Sequence, residues 1–253
     1  MDELADILHT DAIRMRYFKG STDKLIVVFC GVGTQRSQPP PIEMFASATQ
    51  GAQHHALFVT DASRCWLNTP GFDVQIASAV QRVAARILPS KVTLIGNSMG
   101  GTMALLLSNM IPCDSVLAFA PQFSVHPEIV PEELRWSYFR NKIERFSYPQ
   151  IDELDPQSRT IQIVHGDSPD ELVHALRFPQ LQRLRHYIVP GTDHHLIKKL
   201  KTDGALTTLV KHAINQRPGR FRGAMQKHGA MFRSEYEAQH PFALDNVALR
   251  LTG

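Results

Sequence analysis

The stretch Gly96-Asn97-Ser98-Met99-Gly100 constrains this chain more than any other. It reads G-x-S-x-G. The run before it, Lys91-Val92-Thr93-Leu94-Ile95, is short, apolar and β-branched, as a buried strand should be. The run after it, residues 101–108, reads as a buried helix. A serine on so tight a strand-to-helix turn has a strained backbone and an exposed hydroxyl. Glycines on both sides let strand and helix approach where a Cβ would clash. The new helix also aims unpaired N–H groups at whatever the serine attacks. The bland alternative is a Gly-Ser turn that merely joins two elements.

The chain has 253 residues, enough for one large α/β domain. Strand-like runs at residues 25–30, 56–60, 91–95, 115–119, 160–164 and 186–189 have helical patterns between them. That rhythm predicts an α/β fold, a mostly parallel central sheet flanked by helices. Residues 12–18 alternate, as an antiparallel edge strand would. Ile76, Val80, Val83 and Ile87 recur at helical spacing, so residues 72–88 form an amphipathic helix that Pro89 ends. Residues 196–214 read as the last helix of a domain covering residues 1–217.

Two regions fall outside the rhythm. Residues 124–156 carry several prolines and the aromatics Trp136, Tyr138, Phe139, Phe146 and Tyr148. They form an insertion between two core strands, either a small lid or a surface excursion. Residues 218–253 open on Pro218-Gly219, carry Arg220, Arg222, Lys227 and Arg233, and finish on Val247-Ala248-Leu249. They read as an appendage packed on the domain, or as a docking segment for a partner or a second copy.

Hydrophobic content of 43%, charged content of 20% and a net charge of +3 are those of an ordinary soluble protein, with no nucleic-acid partner implied. The acidic start Met1-Asp2-Glu3 has no apolar region of a secretory signal, and no run is long enough to span a bilayer. Cys30, Cys65 and Cys113 are odd in number and lack metal-type spacing, so a cytoplasmic chain with reduced thiols is expected. His54/His55 and His194/His195 lack zinc spacing, so no metal is expected. Gly31-Val32-Gly33 lacks both the lysine of a phosphate loop and a third glycine in dinucleotide register, so no cofactor is implied.

A serine needs a general base within hydrogen-bond reach, best held by a carboxylate. The chain order in this architecture is serine, acid, histidine. The loop Pro190-Gly191-Thr192-Asp193-His194-His195 follows the last strand and offers His194, with His195 as the alternative. The loop Gly166-Asp167-Ser168-Pro169-Asp170-Glu171 offers Asp170, whose neighbours Leu172-Val173 could anchor it; Asp167, a natural helix cap, and Glu171 remain alternatives. Two backbone N–H donors for an oxyanion should come from Met99 and Val32. Asp61 and Trp66, just past a strand end, are candidate substrate contacts, or else a surface aspartate and a tryptophan filling a loop core.

Taken together, Cys30-Gly31-Val32, Gly96-Asn97-Ser98-Met99-Gly100-Gly101, the acid loop and the histidine loop resemble the α/β-hydrolase superfamily across residues 25–214. Within it, residues 61–66, Ala118-Phe119-Ala120-Pro121-Gln122 and residues 200–206 are similar to a bacterial group often associated with polysaccharide genes. Cys30-Gly31 stands where the superfamily usually has His-Gly. The resemblance implies a serine esterase that cleaves a carboxylic ester of a small or saccharide-linked acyl substrate through an acyl-enzyme. An acyltransferase or thioesterase using the same residues is the first alternative, and a non-catalytic binding or assembly module is the second.

Overall fold

The computed structural model describes residues 4–241. The chain begins with strands β1 (Ala5–His9), β2 (Ile13–Phe18) and β3 (Lys24–Phe29), then helix α1 (Phe45–Thr49) and strand β4 (His55–Asp61). Helix α2 (Phe72–Ile87), strand β5 (Lys91–Asn97), helix α3 (Met99–Leu107) and strand β6 (Ser115–Phe119) follow. The insertion contains the short helix α4 (Ser137–Arg140) and leads into strand β7 (Thr160–Gly166) and helix α5 (Pro169–Ala175). Strand β8 (Arg185–Val189), helices α6 (Leu196–Thr202), α7 (Leu206–Ile214) and α8 (Pro218–Gln226), strand β9 (Met231–Phe232) and helix α9 (Arg233–Gln239) complete it.

Among the described residues, nine strands join one sheet in the order β1-β2-β4-β3-β5-β6-β7-β8-β9. The block from β4 to β8 is parallel, while β1, β2 and β9 pair antiparallel at the flanks. Side chains alternate between two cores. Leu25, Val27 and Phe29 pack with α2 and α3, and Ile26 and Val28 pack with α7 and α8. With both faces covered, the central strands read as unbroken apolar runs instead of an alternation.

Two features differ from the sequence reading, and the end of α2 is as expected. β2 is antiparallel as expected, but it is not an edge, because β1 pairs along its outer side. The helix expected over residues 196–214 is two helices. Gly204 at φ +71° closes α6 with Ala205 N–H on Leu200 O (2.9 Å) and Gly204 N–H on Lys201 O (3.1 Å), the paired bonds of a glycine C-terminal cap. α2 stops before Pro89. A residue preceding proline is kept out of right-handed α backbone, and Leu88 turns to φ +49° with its N–H on Ala84 O. In the tail, β9 pairs with β8, and Phe221 and Met225 are fully buried. Residues 247–249 lie outside the described residues.

Candidate active site

Ser98 occupies the turn between β5 and α3 with φ +55° and ψ −124°, backbone that an L-residue adopts only at a cost of about 1–3 kcal/mol. The flanking glycines make the turn possible. A Cβ on Gly96 would be driven into the Gly100 carbonyl, and one on Gly100 into the Phe29 carbonyl of the neighbouring strand. Met99 is the first residue of α3, so its N–H has no acceptor within the helix.

His194 lies in the loop between β8 and α6. Its Nε2 is 2.9 Å from Ser98 Oγ. Its Nδ1 is 2.8 Å from Oε1 of Glu171, which burial leaves 1% exposed. With Nδ1–H donated to a carboxylate, Nε2 is left as the acceptor for the serine hydroxyl. The geometry therefore corrects the reading at Asp170, which is exposed and offers the site only its backbone oxygen, to Arg135. The reason is helical phase. Ser168 caps α5 and Pro169 opens it, so consecutive residues in its first turn point about 100° apart. Asp170 faces out and Glu171 faces the histidine. Asp167 instead accepts Gly191 N–H (2.8 Å) and Thr192 N–H (3.3 Å), bracing the loop that carries His194. His195 is exposed at the start of α6.

One further side chain meets the serine. Gln122 donates from Nε2 to Ser98 Oγ at 3.1 Å, and its Oε1 accepts Trp66 Nε1–H at 2.9 Å. Because indole only donates, Trp66 fixes which end of the amide faces the serine. Trp66 is 1% exposed and bears on the site through Gln122. Asp61 is equally buried and accepts the N–H groups of Arg64 (3.0 Å) and Cys65 (2.8 Å), which makes it a loop brace and not a substrate contact. The sequence alone does not point to Gln122. β5 and β6 are paired with Asn97 opposite Phe119, which brings the residues just after Phe119 alongside Ser98. Buried neutral His165 pins that turn, donating Nε2–H to Pro121 O and accepting His186 Nε2–H on Nδ1, each at 2.9 Å. Burial pulls His165 down to about 4 and His186 well below its ordinary range.

The insertion reaches the same place. Trp136 packs on His194 with ring centroids 5.4 Å apart. Arg135 Nη1 donates to Glu171 Oε1 at 3.0 Å, and the same guanidinium forks onto Glu133. His174 Nε2 donates to Glu133 at 2.8 Å. Burial alone would raise both glutamates. His194, His165 and Arg135 outweigh it at Glu171, and His174 and Arg135 at Glu133, so each is held at about 2. The backbone of Cys30, Gly31 and Val32 is fixed by Cys30 N–H on Val59 O, Gly31 N–H on Glu43 Oε2 and Arg64 Nε on Val32 O. Among the described residues, no group of three or more His, Cys, Asp or Glu side chains could hold a metal ion, and no helix is long and apolar enough to cross a membrane.

Solved structures share this architecture. An α/β serine hydrolase without a lid from Xanthomonas campestris matches with TM-score 0.52 and 15% identity over 85% of this chain and 94% of that one. The chain has the α/β-hydrolase fold. The capsule O-acetyltransferase of Neisseria meningitidis serogroup A matches with TM-score 0.58 and 16% identity over 82% of this chain and 94% of that one. A chain of the glycosylation-associated Gap123 complex of Streptococcus agalactiae matches with TM-score 0.56 and 15% identity over 82% of this chain and 45% of that one. No family model and no curated protein sequence matches the chain significantly.

Proposed function

We propose that this chain is a serine-dependent acyl hydrolase acting on a carboxylic ester. The observation that carries the reading is the hydrogen-bonded series from Ser98 through His194 to Glu171 behind a serine in strained backbone. Ser98 Oγ attacks the acyl carbon while His194 Nε2 takes its proton. Glu171 holds the imidazole in the required tautomer and stabilises its charged form. The N–H groups of Met99 and Val32 receive the oxyanion, each contributing about 3–4 kcal/mol in enzymes of this kind. His194 then returns the proton to the leaving alcohol and activates water to release the acid.

Acyl transfer is the second reading, favoured by Trp136, which covers one side of the base and limits the access of water to it. The fold likeness to the meningococcal capsule O-acetyltransferase, one structure of which is a complex with CoA, fits a saccharide hydroxyl as acceptor. A fluorophosphonate probe should label the protein, and Ser98→Ala should abolish labelling. Folded protein that never takes up the probe would end both readings. Turnover of p-nitrophenyl acetate with and without a saccharide acceptor separates them, since transfer diverts acetyl to the acceptor and hydrolysis does not.

A further inference from the structure

The insertion and the loop after β4 enclose a groove of about 480 Å³ whose walls include Arg36, Arg64, Tyr138, Lys142 and Arg145, with Glu144 as the carboxylate among them. Arg64 is structural, donating to the backbone carbonyls of Val32, Ala62, Gln35 and Gln38. Arg36, Lys142 and Arg145 are exposed and form no ion pair among the described residues. Other arginines of the insertion and its surroundings are matched: Arg135 with Glu133 and Glu171, Arg159 with Asp155, and Arg177 with Glu132. Arg140 of the insertion, which donates to Val130 O, and cations elsewhere on the surface also lack an ion pair among the described residues; what marks this groove is that Arg36, Lys142 and Arg145 line it together.

They are also held in place. Arg36 Cζ lies 4.8 Å from the centroid of the Tyr138 ring, and Lys142 Nζ lies 4.0 Å from the same centroid. One ring steadies two like charges through its electron-rich face. Their mutual repulsion is relieved when an anion binds between them, and side chains already positioned lose less freedom in doing so.

The walls of the groove are close in sequence to residues that pack at the candidate active site. Tyr138 is two residues from Trp136, which rests on His194. Arg64 is two residues from Trp66, which holds Gln122 against Ser98. Two residues of chain span at most about 7 Å. Arg36 extends from the loop that carries Val32. A compound anchored in the groove would reach the serine by extending past the Trp66 and Trp136 rings, whose centroids are 6.3 Å apart, and the volume falls within the roughly 300–1,000 Å³ of small-molecule sites.

We propose that this groove is a subsite for an anionic group, a phosphate or a carboxylate, on a substrate of the Ser98 site. The link to Ser98 rests on the acyl-transfer chemistry proposed above, whereas anion binding by Arg36 and Lys142 stands without it. Two sources carry such a group: a charged sugar, or the phosphates of an acyl donor such as CoA.

The test has a binding arm and a turnover arm. Glucose 6-phosphate, glucuronate, CoA and neutral glucose are titrated calorimetrically against the wild type and against the exposed double variant R36S/K142Q. At least one anion should bind, glucose should not, and the double variant should bind that anion about tenfold or more weakly, with added salt weakening the wild type in parallel. Preference for CoA over the sugars assigns the groove to the acyl donor, and the reverse assigns it to the charged sugar. Where the sugar phosphate is the preferred anion, turnover of acetylated glucose 6-phosphate should fall by the same factor in the double variant, and where CoA is preferred, turnover of acetyl-CoA should; in both cases p-nitrophenyl acetate is hydrolysed as before. Anion binding without any ester turnover would leave the subsite standing and remove the acyl reading. Ester turnover with no anion bound at millimolar concentration, or with equal binding by both proteins, would overturn the subsite.

Discussion

Replacing Arg135 with methionine removes the one cation shared by two buried carboxylates. Glu133 and Glu171 have side chains only 1% exposed, and Arg135 contacts both. Opposite unit charges 4 Å apart attract by about 4 kcal/mol at an effective dielectric near 20. Removing the guanidinium strands two anions, although Glu133 keeps His174 and Glu171 keeps His194. The net cost should match that of breaking a buried pair, about 3–5 kcal/mol, which lowers the melting temperature of a domain this size by roughly 10 °C. Fluorophosphonate labelling of the folded fraction should slow by about 10- to 100-fold, the value of one hydrogen bond to a charged group that orients the histidine. Two signatures separate this from a generic loss of packing. The stability deficit should shrink as the pH approaches 4.5, where the stranded carboxylates take up protons. It should also be smaller when R135M is introduced into an E133Q background, because only one anion is then stranded. Thermal unfolding by circular dichroism across pH provides both readouts. A melting temperature within 1–2 °C of wild type, or a cost unaffected by Glu133→Gln, would refute the reasoning.

Three further outcomes follow from the same geometry. Glu171→Gln should slow acylation of Ser98 by up to about 10⁴-fold, as carboxylate-to-amide changes behind a catalytic histidine do, while Asp170→Asn leaves labelling near wild type; equal effects would remove the assignment to Glu171. Gln122→Met orphans the buried Trp66 N–H, so it should cost about 1–3 kcal/mol, and adding Trp66→Phe should restore part of that in chemical denaturation. Because Glu133 and Glu171 titrate at about 2 when folded against an ordinary 4.5, each contributes stability that is complete above pH 4.5 and lost as the pH falls toward 2. Acid titration should therefore show E171Q losing less stability than wild type over that window.

How far the sequence could be read depends on whether the decisive information was local. The strand-serine-helix turn is local, since glycine spacing and flanking apolar runs set it, and the parallel sheet follows from the buried strand runs. Choosing between Asp170 and Glu171 needs the rotation of α5 about its axis, which is set by docking Leu172 and Val173 against neighbours distant in sequence. Gln122 needs strand pairing, because β6 brings it beside Ser98 only through the register with β5. Arg135 and Trp136 need the path of an insertion with one short helix and few periodic signals. β1 escaped notice because its Ala-Asp-Ile-Leu-His sequence is mostly exposed and only half apolar, so alternation there is weak.

The two-residue strand β9 carries a consequence for how copies of this protein meet one another. Among the described residues, the outer side of β8 pairs with Met231 and Phe232 of β9. Phe232 stacks on Tyr187, with ring centroids 4.9 Å apart, and Phe221 closes on the same tyrosine. A chain cut after Arg217 would lose all three covers at once and present a bare, flat edge of a parallel sheet. Such an edge templates pairing with an identical edge. Loss of residues 218–239 should therefore favour self-association. Proteolysis ahead of Met231 should yield aggregates in light scattering, even though every residue of the Ser98–His194–Glu171 series lies upstream of the cut.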